Sequence, residues 1–537
     1  MIHLSNEGCR YIEDRLGAFS QGLVRHNKKG FKEKDKDTDE IFMNNQRIYD
    51  VLVIGAGAAG VTAAMQAQSA GASVLVLEKS TYEDRGGNSK VSGQIVFWPN
   101  DVEKAQQYFK AMAEPYTDFL TPDMIRVWAE EMHANRAWLE ALGMDVHHVQ
   151  SIEYPDLPGS DCVEVILHGS GPYGEARLWN QVIEPAFERC NIEVRYEVPV
   201  ERLIVEDGEV VGVIANVLGS EQAIYARRGV VLACGGFQNN QTMVRTYMSD
   251  LPNCYPLGSP HNTGDGIKMA MSAGAQLWHM NNMAGPNLAF KSPDYAVCAR
   301  LGALKANSYL YVGCDGQRFV SEAPNFLVKD GKQYSPIKHG KIMRHGRFVQ
   351  YPCPVPMYLI FDEQVRRAGG LCGKAAGFAF GWEVIQPNGY LWSSDNQREI
   401  DLGWIKRGDS IEELAAHLEL PEGSLSQAVS RFNTMCEAGL DSDFSRAGNQ
   451  MSALHTGPYY ALPLVPSMLN TQGGPVRNER AQVMHVDGKP IARLYSAGEL
   501  GSIYAYKYQA GGNLGECFAT GRIAGQNAAS EPLRRSI

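Results

Sequence analysis

Asp50-Val-Leu-Val-Ile-Gly55-Ala-Gly57-Ala-Ala-Gly60 is followed by a helical run, Val61–Ala70, and by Val74-Leu-Val-Leu-Glu78. The order is strand, glycine turn, helix, then a second strand ending in an acid, which is the dinucleotide-binding fingerprint. Gly55 permits the tight turn, Gly57 lets backbone approach a pyrophosphate, and Gly60 allows close helix–strand packing. Amides at the start of the helix can donate to phosphate oxygens, helped by the helix dipole. Glu78 is placed to accept from ribose hydroxyls. A lone GxGxxG would be weak evidence, but here both flanking strands, the helix and the terminal acid agree.

The chain has 537 residues, too many for one ordinary core, so two domains with additions are expected. A formal net charge of -10 argues against a nucleic-acid partner. The 11 cysteines form no CxxC pair or ferredoxin-like spacing, leaving no sign of an iron–sulfur, zinc or other metal site. Scattered thiols in odd number fit a reducing compartment. The N-terminus shows no secretory pattern, and no apolar run reaches membrane-spanning length, so a cytoplasmic protein without a membrane partner is expected.

Residues 1–47 read as a helical extension and linker, with Ile12, Leu16, Phe19 and Leu23 at helical spacing and a charged run over Lys28–Glu40. Such a helix would dock on the body or on a second copy in a homo-oligomer. Residues 48–275 read as the first part of a Rossmann-like α/β domain. It contains the Arg85–Gly93 loop, a helix over Trp128–Leu142, and strands over Glu193–Val200, Arg202–Glu206, Glu209–Ala215 and Gly229–Ala233. Asn262-Thr-Gly-Asp265-Gly266 opens a helix through Gly274. Residues 276–457 change pattern and read as an inserted α+β cap. Residues 458–537 return to the first domain, with a buried strand in Leu494–Glu499 and a helix from Gly511 to Gly525.

In order, the chain carries GxGxxG with its acid, GGNS…SG from Gly86, CGGF at Cys234–Phe237, NTGDG from Asn262, GQRFVSE at Gly316–Glu322, NTQGG at Asn470–Gly474, YSAGE ending at Glu499, and GGNLGECFATGRIAG from Gly511. As an ordered set this resembles the FAD-dependent fumarate reductase and 3-ketosteroid dehydrogenase superfamily, over about 48–530. The resemblance implies a GR2-type flavoprotein holding noncovalent FAD. Gly55, Gly57, Ala58, Ala59 and Gly60 would hold the pyrophosphate, and Glu78 with Lys79 the adenine-side ribose. Val198 would lie near the adenine. Gly87, Asn88, Ser89, Ser92 and Gly93 would follow the flavin side, with Gly235 beside them, and Glu499 would bond the ribityl chain. Asn513 and Leu514, at a helix N-terminus, would face the pyrimidine edge, where a positive helix end stabilises reduced flavin. Asp265 would either bond near the cofactor or cap its helix.

The departures separate the branches. The fumarate branch has His, Arg and Arg where this chain has Asn470, Gln509 and Phe326. Losing three cations is hard to reconcile with a dicarboxylate, since each charge-assisted bond is worth roughly 1.5–3 kcal/mol. The ketosteroid branch polarises a carbonyl with Tyr and a Gly amide spaced Y-x-x-x-G, which Tyr508 and Gly512 satisfy. Counting from the following Leu-Gly gives Lys507 and Gly511 instead; a neutral donor at Tyr508 suits an enolate better. The branch's tyrosine bases fall at Phe326 and Leu157 here, leaving Tyr506, Tyr504 and Tyr334 as candidate bases. Met280, Asn281, Asn282 and Met283 are placed to line the pocket.

The expected activity is an FAD-dependent oxidoreductase that introduces or reduces a C=C bond next to a carbonyl in a small-molecule cyclic ketone or enone, with an unidentified electron partner. Three rivals remain: an enoate reductase on another unsaturated acid, a redox-silent isomerase or hydratase, and an electron-transfer subunit.

Overall fold

The structure is a computed structural model that describes residues 48–534 apart from 150, 172, 324–326, 330–331, 335–336, 345–346, 378–379, 386–389 and 456. The helix expected near residues 12–23 and position 326 lie outside the described residues, as does the side chain of Tyr334.

The first strand, Tyr49–Ile54, is buried throughout and pairs in parallel with Val74–Leu77 on one side and with Ser220–Leu232 on the other. This double burial explains its unbroken apolar run. Val51, Leu52 and Val53 are fully covered, and each contributes about 1.5–3 kcal/mol. Glu193–Arg195 extends the sheet beyond Val74–Leu77, and Pro490–Ser496 returns from the far end of the chain to pair in parallel with Ser220–Leu232. An antiparallel meander of Val200–Glu206, Glu209–Val217 and Ser220–Leu232 completes this edge. The last of these strands is longer than its apolar end, Gly229–Ala233, suggests, because its outer half, Ser220–Arg228, alternates with solvent.

The glycine turn behaves as the fingerprint requires. Gly55 has φ +103°, a region closed to side chains, and a Cβ on Gly60 would run into the Gly55 carbonyl. The helix that follows, Ala58–Ser69, packs against the C-terminal helix Gly512–Ser530. The helix expected from Trp128 begins earlier, at Pro122, because Thr121 caps it by accepting from the Met124 amide.

A second sheet is built from Asn287–Phe290, Tyr309–Val312, Met357–Asp362 and Tyr459–Met468. The strand Tyr459–Met468 pairs with both Asn287–Phe290 and Met357–Asp362, so residues just after 457 run through this sheet before the chain rejoins the first. Helices Ile411–His417 and Ser424–Ala438 cover it.

Candidate active site

Two hollows meet. The first is a groove at the strand ends, walled by Gly55, Gly57, Ala58, Ala59, Glu78, Lys79, Gly87, Asn88, Ser89, Val198, Gly235, Asp265 and Glu499 among others. The second is a cavity of about 710 Å³ that shares Asn88, Ser89, Glu499 and Cys517 with the groove and adds Ser92, Gly93, Tyr508, Asn513 and Leu514.

Glu78 Oε2 accepts from the Ala56 amide at 2.7 Å and Oε1 from the Ser80 amide at 2.8 Å, which aligns the carboxylate along the groove. The hydroxyl of Ser89 accepts from the Ala58 amide at 3.0 Å and ties the second loop to the helix start. Lys79 pairs with Asp265 at 2.5 Å. Asp265 is the first residue of its helix and the N-cap position is Gly264, so Asp265 holds Lys79 and accepts from Thr263 Oγ1 rather than capping. Gly60 lies behind the wall, in the helix–strand contact. Glu499 is buried and accepts from Asn88 Nδ2 at 2.9 Å, Asn262 Nδ2 at 2.8 Å and the Gly236 amide at 3.0 Å. Burial pushes its carboxyl up to about 7, against the pull of these three donors. A glycine-lined groove with a terminal acid, opening onto a helix N-terminus at Asn513, fits an extended dinucleotide such as FAD.

The segment Ser502–Gly511 forms part of the cavity wall. Glu516, on the C-terminal helix, accepts from Ser502 Oγ at 2.6 Å and the Ile503 amide at 2.8 Å. Asn282 Nδ2 donates to the Tyr504 carbonyl at 2.7 Å. Gln509 is fully buried: its Oε1 accepts from the Tyr108 hydroxyl at 2.9 Å and the Glu153 amide at 3.1 Å, and its Nε2 donates to the Ser151 carbonyl at 2.6 Å. So fixed, Tyr508 faces the cavity at 7% exposure. Its hydroxyl accepts from the Asn513 amide at 3.2 Å, and among the described residues nothing accepts the hydroxyl proton. Burial, with the Glu153 carboxylate adding to it, pushes the phenol well above its usual value, so it keeps that proton.

Several expectations need correction. Gly511 turns left-handed and starts the helix at Gly512, whose amide therefore closes the turn onto the Gln509 carbonyl at 2.9 Å; Gly512 is absent from the cavity wall. Tyr504 is 1% exposed, packed edge-on to Phe109 and Trp128 behind Gly512, and is absent from the cavity lining. Tyr506 turns outward against Tyr116 and between Lys341 and Lys507. Lys507 donates to the Ala111 and Glu114 carbonyls, which removes the alternative register. Met280, Asn281, Asn282 and Met283 do not line the cavity.

Sequence reasoning missed most of the opposite wall. Glu153, Arg300, Tyr311, His339 and Tyr351 all line the cavity. His339 Nε2 lies 2.9 Å from Glu153 Oε1, off line for a well-aligned hydrogen bond, and its ring meets Tyr508 edge-on with centroids 4.5 Å apart. Burial lowers the Arg300 guanidinium to about 10, and the group lies over the Phe380 ring. Glu322, the acid of GQRFVSE, is held by Arg318 at 2.7 Å and Arg446 at 3.3 Å. Only the last carried a sequence signal, through its motif.

The family described as FAD binding domain matches residues 50–514. This chain belongs to that family. It is an FAD-dependent oxidoreductase by that membership and by its relatives. It is 26% identical over 492 residues to the fumarate reductase (cytochrome) of Shewanella frigidimarina, covering 89% of this chain and 77% of the relative. It is 25% identical over 520 residues to the vinyl phenol reductase of Lactiplantibacillus plantarum, covering 91% and 98%. It is 25% identical to the 3-oxosteroid 1-dehydrogenase of Mycolicibacterium smegmatis, again covering 91% and 98%. Among solved structures, the fold matches 3-ketosteroid Δ1-dehydrogenase from Sterolibacterium denitrificans with TM-score 0.69 at 23% identity, over 90% of this chain and 99% of that one. A flavocytochrome c3 fumarate reductase matches with TM-score 0.66 at 24% identity, over 95% and 84%. Among the described residues no helix is long and apolar enough to cross a membrane.

Proposed function

We propose that the protein makes or removes a C=C bond conjugated to the oxygen of a neutral ring ketone or enone. When bound, FAD supplies the centre that exchanges the hydride. The groove residues Gly55, Gly57, Glu78, Asn88, Ser89 and Glu499 would hold it, with Asn513 and Leu514 toward the cavity. The observation that carries the reading is Tyr508: a hydroxyl anchored by an amide, retaining its proton, in the wall of a cavity that opens on the groove. Such a donor stabilises negative charge developing on a carbonyl oxygen.

The charges of the wall support a neutral substrate. Among the described lining residues, Glu153, Glu322 and Glu499 face one guanidinium, Arg300, and one imidazole, His339. A diacid entering this wall would leave carboxylate charge without matching cations, at a cost of several kcal/mol. The likeness to a vinyl phenol reductase adds conjugated phenols to the same neutral class.

Anaerobic mixing of the oxidised FAD-loaded enzyme with saturated ring ketones tests this. Loss of the oxidised flavin band with a ketone, and none with succinate, is expected. A flavin that succinate bleaches and ketones do not would reverse the reading, and turnover that leaves the flavin oxidised would favour an isomerase.

A further inference from the structure

With Tyr504 and Tyr506 outside the cavity, the wall must contain another group able to move a proton. Several of its carboxylates and phenols are poorly suited. Glu322 is bound by two arginines, and Glu499 by three donors. Burial pushes the Tyr311 and Tyr351 phenols well above their usual values. His339 differs: its imidazole lines the cavity, and one ring nitrogen can accept a proton while the other carries one. Its Nε2 lies beside Glu153, and its Nδ1 has no hydrogen bond among the described residues. The turn carrying it is pinned by the Gly340 carbonyl, which accepts from the Tyr351 amide at 2.7 Å and Gln350 Nε2 at 2.9 Å. His339 itself sits at φ +43°, a strained conformation for a residue with a side chain. Gln509 joins the two halves: it accepts from the Glu153 amide and is the neighbour of Tyr508.

We propose that His339, oriented by Glu153, is the catalytic residue that exchanges a proton with the carbon α to the oxygen held by Tyr508. This rests on the neutral-carbonyl reading above. In the forward step the α C–H bond breaks and an N–H bond forms at Nδ1. The C–H electron pair moves into an enolate whose oxygen accepts from Tyr508, while Glu153 balances the imidazolium. The reverse step returns the proton to carbon. Both steps conserve electrons within substrate and imidazole, so neither needs an oxidant. Glu153 is a positioning residue, acting through His339.

Deuterium uptake into cyclohexanone and a decalone, followed by NMR with the oxidised FAD-loaded enzyme in D2O, isolates this step. The wild type should exchange α-hydrogens. His339→Gln should slow exchange by about 10²–10⁴-fold, with FAD content and ketone Kd, read from the flavin difference spectrum, within twofold of wild type. His339→Ala should regain exchange in proportion to added imidazole. Exchange within tenfold of wild type in His339→Gln overturns the assignment while leaving the neutral-carbonyl reading intact. Loss of ketone binding without imidazole rescue overturns it too, as a purely structural role. Absence of exchange by the wild type with both ketones overturns both.

Discussion

The nucleotide groove and the cavity meet at Asn88, Ser89, Glu499 and Cys517, yet they are built in opposite ways. The groove draws heavily on backbone: a left-handed glycine and helix-start amides, with acids such as Glu78 and Glu499 set by short contiguous motifs. The cavity is mostly side chains: Glu153, Arg300, His339 and Tyr508 come from four stretches far apart in the sequence and converge only in the folded wall. A binding groove made of main chain tolerates change in side chains but not in backbone room. A wall made of side chains should respond in the opposite way.

The largest effect is expected in the groove. In Gly60→Val the new side chain overlaps the Gly55 carbonyl, which should cost more than about 4 kcal/mol. The melting temperature and FAD content should collapse together; a folded, yellow variant would break the comparison. In the wall, Gln509→Leu removes the acceptor of the Tyr108 hydroxyl and of the Glu153 amide and the donor to the Ser151 carbonyl, at about 1–3 kcal/mol each. Denaturant unfolding should show the loss, marking Gln509 as structural and not as the vacant place of a substrate cation. Tyr508→Phe should lower turnover by about 10²–10³ while FAD content and melting temperature stay near wild type. Near-normal turnover would remove Tyr508 from the chemistry.

The smallest effect concerns Glu499, where the two regions join. Its folded carboxyl is raised by burial to about 7, so the folded state holds a proton that the unfolded chain releases near about 4.3. Folding stability from this group is therefore fullest below the unfolded value and declines as pH rises toward 7. Glu499→Gln removes that decline, so its melting temperature in the cofactor-free protein should gain on wild type between pH 5 and pH 8. A constant difference across that range would show that Glu499 is not raised.

These contrasts also explain what could be read from the chain alone. The strand–turn–helix, the acid Glu78 and the small-residue loop at Asn88 and Ser89 were legible because each is a local pattern with a steric cause. Tyr508 was legible through its spacing from the helix start, but the partner amide was not. Gly512 follows Tyr508 by four residues, yet the left-handed Gly511 directs the Gly512 amide to Gln509 and leaves the Asn513 amide for the phenol. Tyr504 and Tyr506 read as candidate bases because phenols cluster there; which of three alternating side chains faces inward depends on Phe109, Trp128 and Tyr116, residues some four hundred positions earlier in the chain. His339 and Glu153 had no local signature, since they meet only across the wall, in a charge pair between residues far apart in the sequence.

The central claim is a flavin cavity shaped for uncharged reactants. Reoxidation of the dithionite-reduced, FAD-loaded enzyme by a ring enone and by fumarate, compared as second-order rate constants in stopped flow, tests it most directly. The enone is expected to win by at least about 10²-fold, since a mismatched carboxylate forgoes one or more charge-assisted bonds. Faster reoxidation by fumarate would contradict the account.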